Sequence, residues 1–223
     1  MLAGHVGAAL AIGRAETRIN VGVFVTAALL LDVLLWILVL AGWESAAIPA
    51  DFASTHQAAF IFPWSHGLAA SLAWALLAGV GVMLWRRRSG GGTIGAGLLI
   101  GAAVFSHWLL DALVHIPELP LAGAGSPKVG LGLWQNMPAA IAIEGLIVAA
   151  GLWMFLQGTA LARPRAWGVA ALAILLFVFT ALGMTIAPAP PSALAMASSS
   201  LATVVAVCAI ILWLGRRPRA GRP

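Results

Sequence analysis

Six ionisable side chains lie inside long apolar stretches of this sequence. A charged group in such a stretch costs free energy, so its presence suggests a functional role. The six are Asp32, His66, His107, Asp111, His115 and Glu144. Inserting a charged side chain at the centre of a bilayer costs roughly 2.5–3.5 kcal/mol. All twelve Lys and Arg residues lie outside the apolar stretches, so no basic side chain neutralises the carboxylates there. The missing positive charge must be supplied by protons, imidazolium groups or a bound metal ion.

Three of these residues have the spacing of a single helix face. His107, Asp111 and His115 stand at positions i, i+4 and i+8, which brings them onto one side of a helix. A histidine and a carboxylate one turn apart can hold one metal ion. Imidazole and carboxylate ligands suit Zn²⁺, with Mn²⁺ or Fe²⁺ as alternatives. A structural hydrogen-bonded pair is the competing interpretation of His107 with Asp111.

The six residues also share a depth in the predicted membrane. At about 1.5 Å per residue, each lies within roughly 15 Å of the outer end of its span. Because they come from four different predicted helices, we interpret them as one site that binds a metal ion or handles protons. Structural polar groups bonded to neighbouring helices are the alternative. Glu44, Asp51 and His56 fall in a long outer loop and are predicted to be solvated surface residues.

Composition predicts an all-α membrane protein. Hydrophobic residues make up 62% and charged residues 9% of the chain, and the mean hydropathy is +1.02. Six apolar stretches are long enough to cross about 30 Å of hydrocarbon: residues 21–41, 61–85, 93–117, 137–156, 166–186 and 194–214. We therefore predict a six-transmembrane-helix bundle forming a single domain over residues 1–223. Residues 1–157 carry the polar site, and residues 166–214 contain no acid or histidine and are predicted to be scaffold.

All the arginines stand at the ends of the predicted spans on one and the same side of the predicted membrane. They stand at positions 14 and 18, 86–88, 163 and 165, and 216–222, whereas the opposite side holds only Lys128. The positive-inside rule then places both termini in the cytoplasm. The bias toward Arg and Ala suggests a bacterial inner membrane. The net charge of +5 is accounted for by this topology, so the predicted partner is the bilayer and not a nucleic acid.

The N-terminal segment before Arg14 is apolar but too short to span the membrane, and it contains His5. If it enters the membrane as a re-entrant helix from the cytoplasmic side, His5 reaches roughly 13 Å inward, close to the depth of Asp32. If it lies along the interface as a short helix, His5 stays away from that site. The sequence leaves both arrangements open.

The order of these residues resembles a known family. An N-terminal His, an Asp in the next helix, the motif Ser65-His66-Gly67 and the run SHWLLDALVH (106–115) resemble the YdjM-like, LexA-associated family of membrane-bound metal-dependent hydrolases. The resemblance covers residues 1 to about 145, and SHWLLDALVH is its most specific part. It implies a metal site made by His5, Asp32, His66, His107 and Asp111. The family commonly has Pro-Asp-x-Asp where this chain has only Asp32, so a single ion is expected.

These observations predict a membrane-embedded metal-dependent hydrolase, with Zn²⁺ as the expected ion. Its site is expected to open to the extracytoplasmic side and to accept an amphiphilic or lipid-like ester, phosphoester or amide. Glu144 or His115 is predicted to act as the general base, because each can lie on the mouth side of the metal. A proton or cation transporter or channel component using the same cluster is the alternative function. A non-catalytic membrane scaffold is a third.

Overall fold

The computed structural model describes residues 1–88 and 94–216. Outside the described residues lie Thr93, where the third span is predicted to begin, and Arg217, Arg219 and Arg222 of the basic tail.

Within those ranges the chain is predominantly helical. The helices are α1 (Leu2–Gly13), α2 (Val21–Ala28), α3 (Leu30–Leu40), α4 (Phe52–Thr55), α5 (Leu68–Arg88), α6 (Ile94–Val114), α7 (Met137–Gly158), α8 (Arg163–Gly183) and α9 (Ala193–Leu214). Strands β1 (Ser45–Ala47) and β2 (Ala59–Ile61) pair antiparallel, as do β3 (Leu119–Pro120) and β4 (Lys128–Val129). Both strand pairs belong to the loops that connect the helices.

Helices α5 to α9 are each long and apolar enough to cross a membrane. The predicted first span is divided into α2 and α3, which meet at a bend of 47° and count as a sixth span if taken together. Many large apolar side chains on these helices point outward, among them Leu76, Leu98 and Leu146, as expected for helices that face lipid. The predicted all-α membrane bundle is confirmed, and the chain is a multi-pass membrane protein.

Helix α1 is enclosed by the bundle. Of the two arrangements that the sequence leaves open, the structure has the one in which this helix enters the bundle, and not the one in which it lies along the interface. It packs against α2, α6, α7 and α8, and most of its residues, His5 included, are buried. A close approach of two backbones makes this possible: a Cβ at Gly7 would stand 2.8 Å from the Ile147 carbonyl oxygen, and one at Gly151 would collide with the Gly7 backbone. At roughly 18 Å, twelve residues of helix are too short to span the bilayer. The helix therefore enters the bundle and does not lie on its surface.

The second membrane helix begins later than the sequence predicts. Residues 59–61 pair with β1, and the backbone then turns tightly, with the His66 N–H donating to the Phe62 carbonyl at 3.0 Å. Helix α5 starts only at Leu68. The prediction of a helix from residue 61 is wrong, because strand pairing uses the backbone groups that a helix would need. His66 thus lies in the turn before α5 and not in its first helical turn.

The two long loops close the end of the bundle where α5 begins and α6 ends. The Ala69 N–H donates to the Leu121 carbonyl at 2.9 Å, and the Leu131 N–H donates to the Ala112 carbonyl at 2.8 Å. Leu121 belongs to the loop between β3 and β4, called the β3–β4 loop below, and Leu131 follows β4, so these bonds join the two ends of this region to α5 and α6. The turn that carries His66 is therefore held between α5 and the β3–β4 loop.

Candidate metal centre

Five side chains predicted from the sequence converge at this end of the bundle. We call them the His/Asp cluster: His5 from α1, Asp32 from the first turn of α3, His66 from the turn before α5, and His107 and Asp111 from α6. Two overlapping groups have ligand atoms that all lie within 4.8 Å of one another: His66, His107 and Asp111, and His5, Asp32 and His107. The sequence prediction that separate elements bring these residues together agrees with this geometry.

The tightest part of the cluster is a triangle of three ligand atoms. The Nε2 atoms of His66 and His107 are 3.1 Å apart. Asp111 Oδ2 is 3.3 Å from the first and 3.1 Å from the second. Ligands bound at about 2.0–2.1 Å around a tetrahedral Zn²⁺ are separated by roughly 3.3–3.4 Å. The triangle therefore has the ligand types and nearly the spacing that such an ion requires.

Asp32 lies slightly farther away and is the most exposed member of the cluster. Its Oδ1 is 3.9 Å from His66 Nε2 and 3.7 Å from His107 Nε2. The Asp32 side chain is 20% exposed, against 4% or less for the other four. Asp32 thus marks the side of the cluster that solvent or a substrate can reach.

The hydrogen bond of His107 determines which of its nitrogens carries the proton. Its Nδ1 lies 2.6 Å from the carbonyl oxygen of Ala28, and a carbonyl can only accept. Ala28 is the last residue of α2, where carbonyls begin to lose their helical donors. Nδ1 is therefore a protonated nitrogen, and in its neutral form the ring presents the Nε2 lone pair to the cluster. In known metalloproteins, hydrogen bonds from the outer ring nitrogen orient histidine ligands in the same way.

His66 is oriented in the same sense by a side chain. Its Nδ1 lies 2.8 Å from Ser65 Oγ, and that hydroxyl lies 2.7 Å from Glu44 Oε2. A carboxylate accepts the hydroxyl proton, so Ser65 accepts from the Nδ1–H of His66. The Nε2 atoms of His66 and His107 and Oδ2 of Asp111 are then three mutually adjacent acceptors. Such an arrangement needs a positive charge among the three atoms, either a bound cation or a further proton on one of the two Nε2 atoms.

Glu44 and Ser65 are linked to His66 through hydrogen bonds, and the sequence prediction did not select either of them as a site residue. Glu44 was predicted to be a solvated loop residue, and this is wrong: it is 5% exposed. Its Oε1 accepts from the N–H groups of Trp64 and Ser65 at 2.7 and 2.8 Å. The only signal in the sequence was the serine directly before His66. Nothing in the spacing of Glu44 relates it to a residue twenty-one positions later.

His5 contacts the cluster from the opposite side of Asp111. Its Nε2 lies 3.2 Å from Asp111 Oδ1, the oxygen that does not face His66 and His107. Its ring stacks on that of His107, with the centroids 3.7 Å apart and the planes at 7°. Nδ1 of His5 is buried without a hydrogen-bond partner among the described residues. His5 can therefore serve as a ligand or as the donor that orients Asp111.

His115 continues the same face of α6 but has its own partners. Its Nδ1 is 2.5 Å from Glu118 Oε1, and its ring packs against those of Phe60, Phe62 and Trp134. The ring of Phe62 also contacts His66, with the centroids 4.9 Å apart. Phe62 thus packs against both histidines. Glu118, which the sequence prediction did not single out, is the acid that pairs with His115.

Glu144 lies buried on α7 and binds the start of α1. Its Oε1 accepts a hydrogen bond from the Gly4 N–H at 2.9 Å. A carboxylate is favourable there, because the first amides of a helix have no helical acceptors and carry a partial positive charge. Glu144 therefore supports the helix that carries His5. Its described hydrogen bond goes to this backbone and not to the His/Asp cluster.

Comparisons of this chain with protein-family models, with curated proteins and with solved structures found no significant match.

Proposed function

We propose that this protein is a membrane-embedded metal-dependent hydrolase in which His66, His107 and Asp111 hold the metal ion and Asp32 lies beside it. The observation that carries the proposal is the triangle of three acceptors, His66 Nε2, His107 Nε2 and Asp111 Oδ2, within 3.1–3.3 Å of one another. Both histidines have Nδ1 occupied by another partner. A cation is the group that satisfies all three atoms at once. We expect Zn²⁺, because two imidazoles and a carboxylate match its preferred ligands.

When bound, such an ion would polarise a substrate carbonyl or phosphoryl oxygen and activate water for attack. Asp32 is the residue best placed to take a proton from that water. It is the partly exposed carboxylate, and it stands 3.7–3.9 Å from the two histidine nitrogens. His107 is held by Ala28 and His66 by Ser65, so both remain oriented during turnover. Glu144 and His115, predicted from the sequence as the general base, have their described hydrogen bonds to Gly4 and Glu118.

The surroundings favour an amphiphilic substrate. An apolar groove of about 800 Å³ runs between α3, α5 and the turn that carries His66. Its walls include Leu34 and Leu38 on α3, and Trp43 and Trp64 next to Glu44 and Ser65. The groove therefore borders two of the elements that build the site. It suits a hydrocarbon chain whose polar end lies near Asp32.

The resemblance of SHWLLDALVH to a family of membrane-bound metal-dependent hydrolases supports the same activity. The arginine asymmetry supports access from the extracytoplasmic face, since the cluster lies at the end of the bundle opposite the arginines that follow α5. We propose the inner membrane of a bacterium as the location.

The metal is tested by analysing protein purified without chelator. We expect close to one transition-metal ion per chain in the unmodified protein. His107→Ala should lose that ion, because it removes Nε2, one of the three ligand atoms of the triangle. His56→Asn is the matched control: His56 lies in a loop in the left-handed conformation, which Asn tolerates. It should keep the ion. Unmodified protein that holds no metal and melts identically with and without EDTA would overturn the metal site.

Hydrolysis is tested in liposomes with the metal-loaded protein and a panel of acyl esters and phosphoesters. Asp32→Asn should reduce turnover by about 10²–10⁴-fold, as the loss of a general base does. Glu144→Gln keeps an amide oxygen that can accept from Gly4, so it should fold and turn over normally unless Glu144 is the base. Proton and cation flux measured in the same vesicles provides the opposing outcome. Flux that depends on Asp32 and His107, without turnover of any substrate, would identify a transporter.

A further inference from the structure

A chain of hydrogen bonds runs from the loop after α3 to the His/Asp cluster. The Glu44 N–H donates to the Leu38 carbonyl at 3.2 Å, which ties this residue to α3. Its Oε1 receives the two amides of Trp64 and Ser65, and its Oε2 receives the Ser65 hydroxyl. Ser65 Oγ in turn contacts Nδ1 of His66. All three side chains of this Glu44–Ser65–His66 relay are buried.

The direction of the relay follows from what each group can donate. Glu44 receives three donors on its two oxygens, the pattern of an ionised carboxylate, which can only accept. The single hydroxyl proton of Ser65 is therefore used on Glu44. What remains for His66 is an acceptor lone pair on Oγ, and this requires the proton of the neutral imidazole to be on Nδ1.

We propose that Glu44 and Ser65 are positioning residues that hold His66 in the tautomer with Nδ1 protonated, so that Nε2 is available to a metal ion. The inference rests on the proposed metal site but not on hydrolysis. Hydrogen-bond partners that fix ligand tautomers typically contribute about 10–100-fold to metal affinity. For His107 this role is filled by the backbone of Ala28, whereas for His66 it depends on two side chains that mutation can change.

Glu44→Gln is the most informative variant, because it reverses the direction of the hydrogen bonds in the relay while keeping the shape of the side chain. The two backbone amides keep the amide oxygen on the Oε1 side, so the NH₂ group must face Ser65. That group donates to Ser65 Oγ, and the hydroxyl then donates to Nδ1 of His66. The proton of His66 moves to Nε2, where it blocks the position of the metal.

Ser65→Ala removes the link without reversing it, so His66 is free to adopt either tautomer. We expect a smaller loss of affinity than in Glu44→Gln. Ser65→Thr keeps a hydroxyl and should restore binding. Ser71→Ala is the matched control, because Ser71 is a buried serine whose hydroxyl donates to the Ser65 backbone carbonyl at 3.4 Å and not to a side chain of the relay.

Two measurements on the full-length chain test the proposal. Zn²⁺ affinity, determined by chelator competition, should fall about 10–100-fold in Glu44→Gln, less in Ser65→Ala and not at all in Ser71→Ala. The ¹⁵N spectrum of histidine-labelled, metal-free protein above pH 8 reports the tautomer directly, with the His66 signals assigned by their loss in His66→Gln. Nδ1 should carry the proton in the unmodified protein and Nε2 in Glu44→Gln.

The outcomes separate this inference from the metal site itself. If His66→Gln and His107→Gln lose Zn²⁺ while Glu44→Gln binds it like the unmodified protein, the relay proposal is wrong and the metal site stands. If the unmodified protein binds no Zn²⁺, the metal site fails, and the tautomer spectrum still decides the relay. An unchanged His66 tautomer in Glu44→Gln would overturn the proposal in either case. A purely structural role for Glu44 would lower stability without moving the proton.

Discussion

Asp111 is the residue of the His/Asp cluster that contacts all three of its histidines. Its Oδ2 faces His66 and His107, and its Oδ1 faces His5. Three histidines thus share one buried carboxylate. The charge is acceptable in an apolar bundle only because partners surround it. The two oxygens are not equivalent, however, and this distinguishes the histidines from one another.

We predict that His5→Gln lowers metal affinity less than His66→Gln does. A glutamine at position 5 can still donate an N–H to Asp111 Oδ1, whereas at position 66 it removes a corner of the acceptor triangle. Zn²⁺ affinity in the two variants is the measurement, with His56→Asn as the control histidine substitution. Equal losses would show that His5 is a ligand and not a donor that orients Asp111.

At the scale of the elements, two irregular features bring the cluster together. The bend between α2 and α3 places the Ala28 carbonyl against His107 and puts Asp32 in the first turn of a new helix. The second feature is the burial of α1 inside the bundle, which brings His5 to Asp111. This burial depends on the contact of Gly7 with Gly151, since any side chain there would separate α1 from α7. Small residues at helix contacts serve this purpose in membrane bundles.

We predict that Gly151→Ala destabilises the protein, because its methyl group has no space between α7 and the Gly7 backbone. Overpacking of this kind typically costs about 1–3 kcal/mol. Gly81→Ala is the matched control: Gly81 also lies within a long helix, but nothing lies within 4 Å of a Cβ added there. Thermal unfolding in detergent should show a lower midpoint for Gly151→Ala alone. Equal midpoints would mean that α1 does not pack through this glycine.

At the scale of the whole molecule, apolar side chains lie on the surface and titratable ones in the interior, the reverse of a water-soluble protein. Large apolar side chains cover the outside of the long helices, while the titratable groups of the cluster are enclosed. Trp43, Trp85, Trp167 and Trp213 are exposed close to helix ends, as residues of an interfacial aromatic belt are. This distribution of apolar and polar side chains is the one expected of a multi-pass membrane protein.

We predict that the end of the bundle bearing the cluster faces away from the cytoplasm. In a Cys208→Ser background, Gly125→Cys in the β3–β4 loop should react with a membrane-impermeant thiol reagent on intact cells. Ala160→Cys, between α7 and α8, should react only after permeabilisation. Both positions are exposed, so the side of the membrane and not burial decides labelling. The reverse pattern would overturn the orientation and the proposed side of access.

Sequence alone determined the parts of this protein that depend on composition and local spacing. Apolar length determined the membrane spans, and i, i+4 spacing put His107 and Asp111 on one face of α6. The absence of Lys and Arg from the spans indicated that the acids and histidines need another source of positive charge. These inferences hold because the bilayer imposes one strong constraint on every residue that enters it.

Tertiary structure alone decided how those residues are oriented. The position of α1 inside the bundle depends on Gly7 and Gly151, two glycines that are far apart in the chain. The start of α5 at Leu68 depends on the pairing of residues 59–61 with β1. The tautomer of His107 is determined by the Ala28 carbonyl, and that of His66 by Glu44 through Ser65. Each of these contacts joins residues distant in the chain, and no local pattern encodes a hydrogen bond between them. The sequence therefore identified the candidate metal ligands, and only the folded chain could show which nitrogen of His66 and of His107 faces the cluster.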